Sequence, residues 1–184
     1  ELPLDKAGLP VIFTDNQKPY KQRKVRILNG AHTSFVLASY LCGNDIVLES
    51  MNDELILKYI KDTIFGEIIP TLTFPKQDLV DFANAVLTSF ENPYVKHALL
   101  SISLNSVSKW KARCMPSFLE YIEKEKALPK HLTFSLAALM AFYTGSEIKD
   151  SALIGNRDGA EYRILDDAAV LKFFAENSGK AEAE

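Results

Sequence analysis

Apolar residues recur at helical spacing along most of this 184-residue chain, and this periodicity constrains its fold more than any other feature. A long run from Lys24 ends at Gly43, which can adopt the left-handed conformation that closes a helix. A second run covers Asp53 to about Phe65, with Asn52 or Asp53 placed to cap its first N–H groups. A third, roughly Gln77 to Phe90, ends before Asn92-Pro93 because proline disfavours helix in the residue before it. The sequence therefore predicts an all-α, multi-helix domain.

The same pattern continues into the C-terminal half of the chain. A fourth helix is predicted from Asn92-Pro93 through Trp110, and a short one from Pro116 through Tyr121. An apolar helix from about Leu132 to Tyr143 and an amphipathic helix from Asp166 to Phe174 follow. Between these last two, residues 145–162 are predicted to form an irregular surface loop.

The chain is long enough for one domain, and its sequence predicts three segments. Residues 1–23 hold three prolines around a short apolar stretch, Val11-Ile12-Phe13, and are predicted to be an extended connector or a lone strand. Residues 24–176 are predicted to form the helical domain, and the polar residues 177–184 a disordered tail. The chain begins at Glu1 without an initiator Met or a signal-peptide segment, so we expect a longer parent protein.

Composition and charge argue against several classes of function. Asp and Glu number 24 against 21 Lys and Arg, so the chain lacks the basic surplus that nucleic-acid binding requires. Its longest strongly apolar run, residues 132–143, is too short to span a bilayer, so no membrane partner is expected. Cys42 and Cys114 lack metal-ligand spacing with each other or with the three histidines, and we expect both to be buried, reduced thiols of a cytoplasmic protein.

Signatures of the common cofactor and hydrolase sites do not occur in the sequence. The eight glycines never fall as G-x-G-x-x-G or as a P-loop, so the chain encodes no phosphate-cradling turn of a dinucleotide fold. It has no G-x-S-x-G elbow, H-E-x-x-H pair or paired-cysteine zinc pattern. Four aromatic residues at helical spacing among Leu and Ala are predicted to be core rather than a cofactor-stacking surface: Trp110, Phe134, Phe142 and Tyr143.

One stretch of the first helix has unusual polar content. Lys24, Asn29 and His32 stand at i, i+5 and i+8, and at about 100° per residue they fall within roughly 140° of one another around the helix. Gly30 is tolerated in a helix where another backbone or a ligand must come close. The grouping suits a small polar ligand. Spacing alone favours a plainer interpretation, in which Lys24 and Arg26 face solvent, Asn29 bonds a neighbouring loop and His32 is a satisfied core histidine.

A second basic cluster, Lys109, Lys111 and Arg113, lies near the end of the fourth predicted helix. Lys109 and Arg113 at i and i+4 share a helix face, and Lys111 points away from it. Cations at a helix C-terminus interact favourably with the helix dipole, so a solvated surface is one interpretation of this cluster. His97 and His131 are assigned structural roles.

The segment from Lys24 to Thr33, K-V-R-I-L-N-G-A-H-T, resembles the signature of the mannitol-dehydrogenase-like family of polyol and sugar-acid dehydrogenases. The segments F-E-N-P-Y-V-K-H (residues 90–97) and S-V-S-K-W-K (residues 106–111) are similar to its sugar-acid branch, and the resemblance covers most of residues 10–145. It implies a helical domain similar to the C-terminal domain of 6-phosphogluconate dehydrogenase. It also implies that an N-terminal Rossmann domain outside this chain binds NAD, so that residues 1–23 connect the two domains.

The resemblance assigns roles to the polar residues. Lys24 corresponds to the family's catalytic lysine, the general base for the substrate hydroxyl, and Asn29 and His32 correspond to its partners around the reacting oxygen. Lys109 corresponds to a substrate-contacting lysine, and Arg113 is a second candidate for binding the same anion. The resemblance assigns no residue of this chain to NAD or to a metal ion.

The implied reaction is NAD-dependent interconversion of altronate and tagaturonate, with a small sugar acid as substrate and with the isolated chain inactive. Two alternatives remain open. Mannonate is the first alternative substrate, since the choice between epimers depends on pocket geometry from several segments. The second alternative is a helical binding module without catalytic activity, which an upstream strand followed by G-x-G-x-x-G would argue against.

Overall fold

The computed structural model describes residues 3–9, 11–145 and 147–178. Its first long helical run is continuous: helix α1 (Lys18–Arg23) leads into a π-helical segment (Lys24–Asn29) and then into α2 (Gly30–Leu41). The helix therefore begins at Lys18, and the predicted boundary between connector and domain at Lys24 falls inside it. The apolar residues 11–13 are exposed and form no strand.

The long run ends as predicted. Gly43 has φ 104°, and its N–H donates to the Tyr40 carbonyl at 3.0 Å. A short helix that the periodicity did not predict, α3 (Val47–Asn52), comes next. Helix α4 (Glu54–Lys61) follows, with the Asp53 carboxylate accepting from the first free N–H groups, which confirms the predicted cap.

The second predicted helix continues beyond α4 as a further π-helical segment (Asp62–Ile68) and a 3₁₀ turn (Ile69–Thr71). Helix α5 (Lys76–Phe90) matches the third prediction. The fourth predicted helix is wrong as a single element, because it is divided into α6 (Leu99–Ser103) and α7 (Ser106–Arg113). Asn105 between them has φ 55°, a left-handed conformation that asparagine tolerates and that ends a helix.

The C-terminal part contains three helices and a small sheet. Helices α8 (Met115–Glu125), α9 (Lys130–Phe142) and α10 (Ala168–Asn177) lie close to the predicted positions. Residues 179–184 of the predicted tail lie outside the described residues, and Asn177 belongs to α10.

The predicted surface loop at residues 145–162 is wrong, since an antiparallel sheet forms there. It consists of β1 (Ile148–Lys149), β2 (Ala152–Arg157) and β3 (Ala160–Ile164), in that order. Gly155 pairs with Tyr162 across β2 and β3. The buried Tyr162 ring lies over this glycine, and its hydroxyl donates to the Phe142 carbonyl at 2.7 Å. The glycine thus makes room for the aromatic side chain that attaches the sheet to α9.

Helix α2 lies at the centre of the fold. Ten of its twelve residues are buried, and it packs against α4, α6, α7 and α9. This explains why the helix is apolar on nearly every side. Trp110, Phe142 and Tyr143 are core residues as predicted, whereas Phe134 is 52% exposed on α9 and its predicted core position is wrong. None of the described helices has the length and apolarity that crossing a bilayer requires.

Gly155→Ala should destabilise the fold, because a Cβ at this position would lie 2.4 Å from Cζ of Tyr162. Overpacking of this kind lowers the free energy of unfolding by about 1–3 kcal/mol. Urea denaturation of the two chains measures the difference. Gly66→Ala is the control, since a Cβ there meets no atom within 4 Å. Equal stability of wild type and Gly155→Ala would show that the Tyr162 ring is not fixed over the glycine.

Candidate active site

The first and last residues of the π-helical segment are Lys24 and Asn29. In a π-helix the hydrogen-bonded residues are i and i+5, so these two lie one turn apart on the same side of the helix. His32 lies three residues farther on, in the first turn of α2. The π-helical geometry therefore aligns the three predicted catalytic residues more closely than the α-helical spacing assumed from the sequence.

The junction between the π-helical segment and α2 packs against the C-terminal end of α7. A Cβ on Gly30 would lie 3.4 Å from the Arg113 carbonyl oxygen, and the Cys114 thiol donates to the Gly30 carbonyl at 3.5 Å. The predicted close backbone approach at Gly30 is confirmed. Packing at this glycine brings the second basic cluster next to the polar end of the first helix.

His32 is held between aromatic rings. Its imidazole stacks on Phe90 with ring centroids 4.1 Å apart, and it meets the His97 ring edge-on at 5.7 Å. Its Nε2 is buried and has no hydrogen-bond partner among the described residues. The interpretation of His32 as a satisfied core histidine is therefore wrong.

The electrostatic surroundings keep the His32 imidazole neutral. Burial lowers the pKa of His32 to about 4, and neighbouring His97, Arg113 and Lys24 contribute in the same direction. A neutral imidazole can donate one hydrogen bond and accept another. His32 thus offers an uncharged polar edge within a group of basic side chains.

The other two predicted catalytic residues are accessible to a ligand. The Lys24 side chain is exposed and close enough to His32 to affect its protonation. Asn29 is half-buried, and its amide has no hydrogen-bond partner within the described ranges. Because neither side chain is buried or hydrogen-bonded within the described residues, both can contact a small molecule.

The second basic cluster faces the same region. Arg113 Nη1 donates to Thr33 Oγ1 at 3.3 Å, which places the guanidinium beside the residue that follows His32. Lys109 donates to the Ile102 carbonyl at 2.9 Å, and burial together with nearby Arg113 lowers its pKa, against the opposing effect of Asp166. Lys109 and Arg113 therefore share a face as predicted, and Lys111 is exposed.

His97 is a neighbour of the site that sequence reasoning missed, because a structural role was predicted for it. It belongs to the exposed segment 91–97, and its carbonyl accepts from the Val47 N–H at 3.0 Å, which fixes the segment beside α3. His32 and His97 are far apart in the chain, so no spacing pattern relates them. The packing of α2 against α6 and the stack of His32 on Phe90, the last residue of α5, bring the two rings together.

The two cysteines do not take part in this site. Both are free; Cys114 is buried, and Cys42 is exposed, so the prediction that both are buried is wrong for Cys42. Burial raises the pKa of the Cys114 thiol to about 12, which keeps it protonated. In the described ranges, no group of three or more His, Cys, Asp or Glu side chains has the arrangement that a metal ion would need.

The family model described as the mannitol dehydrogenase C-terminal domain matches residues 16–172 of this chain. The chain is 48% identical over 176 residues to altronate oxidoreductase of Pectobacterium atrosepticum, covering 95% of this chain and 35% of that protein. It is 45% identical over 175 residues to altronate oxidoreductase of Yersinia enterocolitica, covering 95% and 34%. The chain therefore spans about a third of the length of these curated relatives.

Two solved structures have a similar fold. One is Pseudomonas fluorescens mannitol 2-dehydrogenase in a ternary complex with NAD and D-mannitol, with a TM-score of 0.78 and 24% identity over 94% of this chain and 33% of that chain. The other is D-sorbitol dehydrogenase in substrate-free form, with a TM-score of 0.71 and 23% identity over 79% and 30% of the two chains. The predicted helical domain is confirmed, with the small antiparallel sheet as an addition.

His32 should titrate near pH 4 when its imidazole signals are followed by NMR, because burial disfavours the charged ring. His97→Gln should raise this pKa toward the ordinary value of 6.5 by removing a neighbouring charge, and His131→Gln should leave it unchanged. Because the folded-state pKa lies below the unfolded one, the free energy of unfolding should fall as the pH drops from about 6.5 toward 4. Titration of His32 near 6.5 would contradict the buried, neutral ring.

Proposed function

Since this chain belongs to the mannitol dehydrogenase C-terminal domain family, we propose that it is the substrate-binding and catalytic domain of an NAD-dependent oxidoreductase that interconverts altronate and tagaturonate. One observation carries the proposal: Lys24, Asn29 and the unpartnered His32 lie along one stretch of helix beside Arg113, which in turn neighbours Lys109. The relatives named altronate oxidoreductase match this chain over 95% of its length, which supports the choice of substrate.

Lys24 is proposed as the general base. Oxidation of a secondary alcohol by hydride transfer requires removal of the hydroxyl proton, and the exposed amine of Lys24 in the π-helical segment can accept it. In the reducing direction, the same side chain returns the proton. The exposed position of Lys24 and the basic groups around it support this role.

Asn29 and His32 are proposed to hold the reacting oxygen. That oxygen carries partial negative charge in the transition state, and fixed N–H donors stabilise it most effectively when they need no reorientation. The ring stack with Phe90 fixes the His32 imidazole, and its Nε2 has no competing partner in the described part of the chain. Because Asn29 lies on the same side of the π-helical segment as Lys24, its amide is proposed to donate to the same oxygen.

Lys109 and Arg113 are proposed to bind the substrate carboxylate. Charge-assisted hydrogen bonds to a carboxylate are stronger than neutral ones and orient it. Asp166 is the acidic group near Lys109, but its carboxylate already accepts from the Tyr143 hydroxyl and the Val107 N–H. The excess of positive charge favours a sugar acid over an uncharged polyol.

NAD is proposed to be bound mainly by a part of the protein outside this chain. The sheet in the described residues is small and antiparallel, and the sequence holds no glycine-rich phosphate-binding turn. When bound, NAD supplies the nicotinamide that accepts the hydride. The 184-residue chain alone is therefore expected to have no dehydrogenase activity. A cytoplasmic location is proposed on the basis of the two free cysteines.

Lys24→Ala in the full-length protein should lower kcat for altronate oxidation by a factor of about 100 or more, the usual effect of removing a general base. The decrease is measured by the rate of NADH formation. Lys111→Ala is the matched control, since this lysine is exposed and points away from the site. A normal rate for Lys24→Ala would remove Lys24 from the mechanism.

Lys109→Gln should raise KM for altronate by a factor of about 10, because a charge-assisted hydrogen bond contributes about 1.5–3 kcal/mol and 1.4 kcal/mol corresponds to a tenfold change. Steady-state assays with altronate, mannonate and mannitol measure this change in KM and also test which compound is the substrate. Equal activity of the wild-type protein on mannitol would contradict the assignment of a sugar acid as substrate. A preference for mannonate would show that mannonate, and not altronate, is the substrate.

A further inference from the structure

Arg26 lies in the middle of the π-helical segment and is only 4% exposed, so the interpretation that it faces solvent is wrong. Its Nε donates to Ser117 Oγ at 2.7 Å, and its Nη2 donates to Thr71 Oγ1 at 3.3 Å and pairs with the Glu120 carboxylate. Ser117 and Glu120 belong to α8, and Thr71 belongs to the 3₁₀ turn after the second π-helical segment. One side chain therefore connects the predicted catalytic segment to two other elements.

Stability alone does not account for this arrangement. Removing a guanidinium from water is unfavourable, and its partner Glu120 is 42% exposed, where an ion pair contributes little to stability. A guanidinium does provide a planar set of donors with fixed directions. Because the Arg26 donors bond groups on two elements, they limit both rotation and sliding of residues 24–29.

The register of this segment determines which residue lies next to Lys24. In an α-helix the neighbours of Lys24 one turn later would be Ile27 and Leu28, which are apolar. In the observed π-helix, which has more residues per turn, Asn29 at i+5 comes onto the side of Lys24, next to Leu28. A change from π to α geometry would separate the amine from the amide without any change in the catalytic residues themselves.

We propose that Arg26, through Glu120 and Ser117, is a positioning residue that maintains the π-helical register and thereby keeps Lys24 aligned with Asn29. This inference rests on the proposed function for its kinetic consequences. Arg26 acts from the side of the segment that faces α8 and the 3₁₀ turn, and Lys24 is exposed. The polar network therefore affects the reaction only through the backbone of residues 24–29.

The test is Arg26→Met in the full-length enzyme, which removes the guanidinium and keeps an unbranched side chain. We expect kcat for altronate to fall by about 10- to 100-fold, because small misplacements of catalytic groups have effects of this size. KM should change by less than about threefold, since Arg26 does not contact the substrate. Arg26→Lys should restore little of the rate, because an ammonium group lacks the planar donor geometry.

Arg157→Met is the matched control for stability. Arg157 likewise bonds several groups, donating to the Tyr40 and Asn44 carbonyls and to the Asp45 carboxylate at 2.9, 3.3 and 2.8 Å, but at the opposite end of α2. Its loss should lower Tm without changing kcat. If Arg26→Met does not fold, Glu120→Ala replaces it, because the Glu120 side chain is 42% exposed and its removal leaves no cavity in the core.

A crystal structure of the variant separates this inference from the proposed function. Loss of the i→i+5 hydrogen bonds at residues 24–29 is the expected result, and it can be observed even if the wild-type protein does not oxidise altronate. An unchanged π-helical pattern in the variant would overturn the inference whatever the kinetics. A raised KM with normal kcat would make Arg26 a substrate-binding residue and would also overturn it.

Discussion

Burial of helix α2 on nearly all sides is the constraint on which the rest of this structure depends. With ten of twelve residues buried, the helix leaves little side-chain surface for function, and the surrounding helices are arranged to cover it. The buried polar side chains of α2 are the small hydroxyls of Thr33, Ser34 and Ser39, and larger polar groups lie where the covering is incomplete. That place is the N-terminal end, where the π-helical segment joins α2 and where Lys24, Asn29 and His32 lie. The candidate site thus lies where the surrounding helices leave α2 uncovered.

The same end of the helix collects positive charge around an uncharged ring. Lys24, Arg113 and His97 each disfavour protonation of His32, and burial does so most strongly. A buried polar atom without a partner carries a free-energy penalty that a ligand can relieve by bonding to it. The unpartnered Nε2 and the excess of basic groups both favour an anionic, oxygen-rich ligand. The unsatisfied His32 Nε2 and the surrounding basic side chains thus both support the proposal of a sugar-acid substrate.

Sequence reasoning predicted the parts of the structure that depend on local patterns. The helical periodicity, the cap at Asp53 and the shared face of Lys109 and Arg113 are properties of neighbouring residues, and the structure confirms them. The π-helical register, the position of His97 and the covering of Gly155 by Tyr162 depend on contacts between distant segments. Glycine is typical of turns, so the sequence alone predicted a loop at residues 145–162. In the structure Gly155 lies in a strand, where it leaves space for the Tyr162 ring.

In the proposed mechanism, one short stretch of helix directs an amine, an amide and an imidazole at a single substrate oxygen. The decisive experiment is a crystal structure of the full-length protein with NAD and altronate. We expect Nζ of Lys24, the amide nitrogen of Asn29 and Nε2 of His32 all to lie about 2.7–3.2 Å from the oxygen on the carbon that is oxidised. A complex in which that oxygen contacts other residues, with these three side chains directed elsewhere, would contradict it.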